Sequence, residues 1–145
     1  MKYSTKSRYA LRLMVDLTLH NNGDYIALKD ISDRQNISVK YLEQIVSVLG
    51  KAGMLRSVRG PQGGYKLAKN PSEYTAGDIL RITEGNLAPI PCLEDEHNEC
   101  DRISQCTTID FWKGLYETVN NYVDGITLAE LAERFKLKNS MDYII

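Results

Sequence analysis

The sequence lacks what would place it in a membrane or outside the cell. No stretch of its 145 residues approaches the roughly 18 consecutive apolar residues that a bilayer-spanning helix needs. The opening MKYSTKSRYALRLM has no apolar segment followed by a small-residue cleavage site, so the sequence predicts a cytoplasmic, non-secreted protein. Internal repeats and low-complexity runs are missing too. So are a Gly-rich nucleotide loop and a Cys-x-x-Cys pair, and the only histidines are His20 and His97. These absences argue against a redox enzyme or cluster carrier and predict a protein that is not an enzyme. In a reducing compartment the three cysteines are expected as ligands or free thiols rather than as disulfide partners.

What is present is a division of charge. The net charge of −1 conceals 12 Lys and Arg against 5 Asp and Glu in residues 1–69, a net of +7. Residues 70–145 carry 6 against 14, a net of −8. A basic first half is the footprint of a polyanion binder. With 43% hydrophobic residues, the chain has material for a packed core.

The periodicity predicts a mainly α fold of the α+β type. Ala10, Leu13, Met14 and Leu17 share a helix face, with Ser4 or Thr5 as cap and an end near His20. A second helix carries Leu28 and Ile31 to about Gln35. Asn36-Ile37 reads as a tight turn, with Ser38 capping a third helix that buries Leu42, Ile45, Val46 and Leu49. Met54–Val58 and Tyr65–Leu67 read as strands around a Gly/Pro loop. Capping boxes are expected at Thr75–Asp78 and at Thr107–Asp110. The second opens a long helix striped by Trp112, Leu115, Tyr116, Val119, Tyr122 and Val123, which has its own domain or a second subunit to pack on. Thr127 caps a final short helix, and residues 141–145 form an apolar tail. The expected organisation is 1–84 as a winged helix-turn-helix domain, 85–106 as a cysteine-containing loop, and 107–145 as the long helix and its successor.

Two short helices, a tight turn and an amphipathic third helix make a helix-turn-helix. The outward face of the third helix carries Ser38, Lys40, Tyr41, Glu43, Gln44 and Ser47, groups that donate to phosphates or read base edges. Gln44 suits adenine. Glu43 suits the amino group of cytosine but repels phosphate, so it discriminates more than it adds affinity. Arg59, Gly60, Pro61, Gln62, Gly63, Gly64 and Tyr65 form a two-stranded wing whose arginine suits a narrow minor groove. Lys2, Lys6 and Arg8 are expected on flanking phosphates.

All three cysteines lie in one irregular loop, as Cys92-x7-Cys100-x5-Cys106. That spacing is a poor zinc signal. It suits a loop wrapped round an iron–sulfur cluster, though spacing alone leaves three unrelated thiols open. Cys106 precedes a helix N-terminus, which favours its thiolate.

The segments Lys6–Ala10, Ile37–Gln44 and Val58–Tyr65 resemble the bacterial Rrf-type winged-helix regulators, over nearly the whole chain to about Phe135. The Arg59-Gly-Pro-Gln-Gly-Gly-Tyr65 wing is specific to them. The resemblance implies a homodimer joined mainly through the long helix, an inverted-repeat operator in double-stranded DNA, and usually repression. In the IscR-like branch three loop cysteines hold an iron–sulfur cluster that regulates cluster assembly or related stress genes. It implies Cys92, Cys100 and Cys106 as ligands, with 2Fe–2S favoured over 4Fe–4S. The first cysteine gap here is two residues longer than in that branch, and its ligand histidine is Ile109. The aspartate that is a ligand in NsrR-like members falls at Arg8. His97 and Asp110 are candidate fourth ligands, with Glu43 and Asp101 weaker. The alternative is a cluster-free, CymR-like regulator of cysteine and sulfur metabolism controlled by a partner protein.

Overall fold

The computed structural model describes residues 2–95 and 102–142. Ser4 opens α1 (Thr5–Leu19): its hydroxyl accepts the Ser7 N–H at 3.1 Å. Ala10, Leu13, Met14 and Leu17 turn inward as their spacing predicts. After a turn at Gly23, α2 (Leu28–Gln35) ends at Asn36, the one non-glycine described with a positive φ (54°). Asparagine tolerates that left-handed conformation, which closes the helix tightly enough to launch α3 two residues later. The Ser38 hydroxyl then accepts the Tyr41 N–H at 3.1 Å to open α3 (Val39–Lys51). Leu42, Ile45, Val46 and Leu49 fill the core.

The hairpin pairs β1 (Leu55–Val58) with β2 (Gly64–Leu67), in a register from Leu55 opposite Leu67 to Val58 opposite Gly64. Ile26 adds a bridge that the sequence did not announce. Its N–H donates to the Tyr65 carbonyl at 2.9 Å, and the Tyr65 N–H donates back at 2.8 Å. The hairpin is thereby tied to the segment entering α2. Tyr74 fixes its base from beneath: the buried phenol donates to the Met54 carbonyl at 2.7 Å and accepts the Lys69 N–H at 3.0 Å.

The capping box at Thr75 forms as expected. Asp78 N–H donates to Thr75 Oγ1, and Thr75 N–H to Asp78 Oδ2, both at 3.0 Å, at the start of α4 (Ala76–Glu84). The box expected at Thr107–Asp110 does not form. Thr108 is the N-cap of α5 (Ile109–Asp124) and makes no side-chain capping bond. Its φ and ψ, −123° and 0°, are not the extended values that aim a cap side chain at the next turn. The hydroxyl instead lies 3.8 Å from Cys106 Sγ. The last helix is not short either: α6 runs over Leu128–Asp142. Thr127 caps it, Leu128 and Ala132 bury its first turns, and Arg134–Glu130 and Lys136–Glu133 pairs lie along its exposed side. Residues 143–145 of the expected apolar tail lie outside the described residues.

One core joins α1, α2, α3, the hairpin and Leu128 of α6. A smaller cluster of Leu80, Leu87 and Val123 joins α4 to α5, with Tyr3, Leu11, Tyr116 and Val119 packed against it. Of the α5 stripe, Val123 is therefore buried within this chain, whereas Tyr122 is exposed, as is Phe111 beside Trp112. Gly77 lets α5 come close: a Cβ there would overlap Asp124 Oδ1 and crowd Arg81, which pairs with Asp124 and Asn120. No helix among the described residues is long and apolar enough to cross a membrane.

Candidate nucleic-acid interface and cysteine loop

Ser38, Lys40, Glu43, Gln44 and Ser47 all stand exposed on α3. Tyr41 is half-buried, meeting the Tyr9 ring edge-on at 5.5 Å. That contact sets the first turns of α1 beside the first turn of α3. Lys6 and Arg8, on those turns, thus flank α3, and Lys2 lies on the arm just ahead of them. Arg12, which the sequence reading passed over, sits 5.1 Å over the Tyr9 ring and donates from Nε to Gln35 Oε1 at 3.2 Å.

At the hairpin tip Arg59, Gly60, Pro61 and Gln62 are exposed, and Gly60 has φ +116°. The other glycines serve the chain's own backbone. A Cβ on Gly63 would overlap the Val58 carbonyl oxygen, and one on Gly64 the Ile26 carbonyl. Gly64 is buried and Tyr65 half-buried, with the Tyr65 backbone committed to Ile26. Between α3 and the hairpin runs a cleft of about 280 Å³, lined on one side by Glu43, Ser47, Gly50 and Lys51 and on the other by Ser57 and Tyr65. Lys51 and Ser57 were not singled out in the sequence. The helical spacing of Lys51 from Ser47 was the available signal for one; the other depends on hairpin register.

Of the cysteines, Cys92 is half-buried in a 3₁₀ turn, Pro91–Leu93, and Cys106 is exposed. Cys100 and His97 lie outside the described residues. Hydrogen bonds from the Thr108 backbone and hydroxyl hold the Cys106 thiol below its ordinary pKa, with further help from the Ile109 N–H and the Arg102 charge. The thiolate is the form that binds metal. Asp110 is exposed in the first turn of α5, with no capping role to occupy it. Glu43 stands on α3, in the cleft facing the hairpin. Among the described residues no three His, Cys, Asp or Glu side chains gather into a metal-holding group. The donor set still fits a thiolate-bound group, since two loop thiols are free and one is biased to thiolate.

A carboxylate ends α4 where the loop begins. Glu84 Oε1 accepts the Ser4 N–H at 2.6 Å and the hydroxyl of fully buried Ser7 at 2.5 Å. The Ser7 bond, then those from Ser4, lower its pKa, with burial opposing. A depressed carboxylate pKa stabilises the fold above the unfolded-state value, about 4.3, and that contribution fades as pH falls through the folded value. Urea unfolding at pH 5.5 and at pH 3.5 is expected to differ less in a Glu84→Gln variant than in the wild type. An equal difference would show that Glu84 does not carry this term.

Residues 3–134 match the family described as Rrf2, iron-dependent transcriptional regulator. The chain is similar to the HTH-type transcriptional regulator IscR of Aliivibrio salmonicida, at 40% identity over 90% of this chain and 77% of that one. It is equally similar to the HTH-type transcriptional regulator CymR of Bacillus subtilis, at 39% identity over 91% and 90%. The solved structure of B. subtilis CymR, the global cysteine regulator, superposes with a TM-score of 0.76 at 35% identity, covering 92% of this chain and 98% of that one. T. potens IscR superposes at 0.72 with 36% identity, over 92% and 88%.

Proposed function

The chain belongs to the Rrf2 family of transcription regulators rather than to an enzyme family, and on that premise we propose that it is a dimeric repressor switched by an iron–sulfur cluster in its cysteine loop. The α3 face of Ser38, Lys40, Tyr41, Glu43, Gln44 and Ser47 enters the major groove of duplex DNA. The hairpin tip, Arg59 to Gln62, reaches the adjacent minor groove, and Lys2, Lys6 and Arg8 meet flanking phosphates. Two-fold pairing of chains through the exposed α5 residues Phe111 and Tyr122 matches an inverted-repeat operator. The genes controlled are those of cluster assembly or a related stress response.

The observation that carries the sensing role is the placement of all three cysteines in the connection from α4 to α5, with Cys106 biased toward thiolate at the start of α5. Cys92, Cys100 and Cys106 hold the cluster, 2Fe–2S rather than 4Fe–4S, with His97 or Asp110 as fourth ligand. When bound, the cluster supplies a charge and an iron–thiolate linkage sensitive to iron supply and oxidants. A weak oxygen ligand, or one supplied from outside the chain, leaves it labile, as a sensor requires.

Anaerobic reconstitution with iron and sulfide is expected to give a brown protein. Its visible absorbance should be lost when Cys92, Cys100 and Cys106 are replaced by alanine. Absorbance that survives the triple replacement removes these ligands from consideration. Separately, Arg59→Ala is expected to weaken duplex binding about tenfold, the worth of one good groove contact, as read by fluorescence anisotropy. Unchanged affinity takes the hairpin tip out of the interface.

A second reading draws on the superposition with CymR, which covers nearly all of that chain. In it the protein holds no cluster, and a partner protein of sulfur metabolism controls DNA binding. It expects a colourless protein after reconstitution, with duplex affinity altered by the partner.

A further inference from the structure

The C-terminal end of α4 is where the cysteine loop begins, and it is also where the N-terminal arm is fastened. Glu84, the last residue of α4, takes the Ser4 N–H and the Ser7 hydroxyl on one oxygen. Ser7 has no exposed surface, and its hydroxyl also lies 2.7 Å from Thr83 Oγ1. Beyond Gly85 the chain folds back on the same arm. Asn86 Oδ1 accepts the Ala88 N–H at 3.0 Å, and Leu87 is 5% exposed. Leu87 belongs to the small cluster against which Tyr3 and Leu11 pack. An open cleft of about 180 Å³ lies between Lys2 and Tyr3 of the arm, Glu84, and residues 86–89 of the loop.

The other end of this arrangement faces the recognition helix. Ser4 caps α1, and α1 touches the start of α3 through Tyr9 and Tyr41. Lys2 is exposed two residues ahead of that cap.

We propose that Glu84 is a positioning residue for DNA binding, holding the N-terminal arm so that Lys2 meets the phosphate backbone, and that Leu87 makes this contact depend on the cysteine loop. The inference rests on the DNA-binding reading above. Its physical content is a sign reversal. Removing a carboxylate near a polyanion strengthens binding when the carboxylate only repels. Removing one that holds a cation in place weakens it.

The test uses the full chain without cluster and a fluorescein-labelled duplex of random sequence, titrated by anisotropy over a range of salt. Non-specific affinity reports phosphate contacts through the slope of log affinity against log salt. Glu84→Ala is expected to weaken binding several-fold and to reduce that slope by about one, as Lys2→Ala does. Lys2→Ala added to Glu84→Ala is expected to change nothing further, and Leu87→Ala is expected to abolish the Lys2 effect in the same way. Ser7→Ala removes one bond to Glu84 without altering charge. It gives the same trend to a lesser degree, and it serves if Glu84→Ala fails to fold. Amide exchange at Ser4 should quicken in each variant of residues 7, 84 and 87. Tighter or unchanged binding by Glu84→Ala overturns the proposal, as do additive effects of Lys2 and Glu84. A Lys2 effect untouched by Leu87→Ala overturns the link to the loop. A wild-type chain without salt-dependent duplex binding overturns the DNA-binding reading itself, and this inference with it.

Discussion

Arg34→Ala is expected to lower the unfolding free energy by about 3 to 5 kcal/mol, the cost of stranding a buried charge. Its partner Asp16, on α1, is 1% exposed. The Arg34 guanidinium reaches Asp16 from α2 through Nε to Oδ2 at 3.0 Å and Nη2 to Oδ1 at 2.8 Å, and this two-pronged bond raises the Arg34 pKa. Gln35 Nε2 adds a third donor at 2.9 Å. The two partners are not equivalent. Arg34 is about one-third exposed, so it returns to water if the carboxylate is removed. Asp16 cannot reach water in this way and would keep only the Gln35 amide and His20, 3.6 Å from Oδ1. Truncating the more exposed partner is therefore the more damaging change, and Asp16→Asn, which removes the charge but keeps only one acceptor oxygen and turns an amide N–H toward a donor, is expected to cost about 1 to 3 kcal/mol. Urea unfolding with a common slope checks both values. An Arg34→Ala loss below about 1 kcal/mol would mean that Asp16 finds water or another donor on its own. The functional consequence lies in α3, because α2 and the Asn36–Ser38 turn hold that helix against α1.

Gly64→Ala is expected to detach the hairpin from the α2 entry, costing about 1 to 3 kcal/mol in overpacking. The added methyl would overlap the Ile26 carbonyl and press on the Ala27 nitrogen, both backbone atoms that cannot rotate away. The strand must then leave Ile26, breaking the reciprocal bonds at 2.9 and 2.8 Å. Amide exchange at Ile26 and Tyr65 is expected to rise together, while the Tyr74 anchor keeps the base of the hairpin closed. Arg59 then loses its fixed place, so Arg59→Ala added to Gly64→Ala should have little further effect on duplex affinity. Additive losses would show that the hairpin tip acts independently of this bridge. Gly60→Ala is the control. Nothing lies within 4 Å of a Cβ there, so its cost is backbone strain at φ +116° without displacement of β2.

Much of this arrangement was legible because it is local. Ser38 and Thr75 cap their helices through N–H groups three residues on. The apolar spacing in α1 and α3 selected the residues that fill the core. Where a local signal failed, the helix began at a different residue. The Thr107–Asp110 pattern satisfies the capping-box rule, yet α5 starts one residue later, with Thr108 as N-cap and Phe111 rather than an acid at the third helical position. The length of α6 was hidden because its outer half buries nothing among the described residues, leaving Phe135 and Leu137 exposed; its inner turns are held by packing on α1 and by the Leu128 N–H bond to the Tyr74 carbonyl at 3.0 Å.

By itself the sequence determined the helix-turn-helix, the wing, the charge division between the two halves, and the confinement of the cysteines to one loop. Each of these is set by neighbours a few residues apart or by composition. Only the tertiary structure decided that Gly64 faces Ile26, that Gly77 seats α5 against α4, and that Glu84 fastens the N-terminal arm at the mouth of the cysteine loop. Those roles join positions far apart in the chain, and a residue type carries no mark of the distant backbone that will come to rest against it.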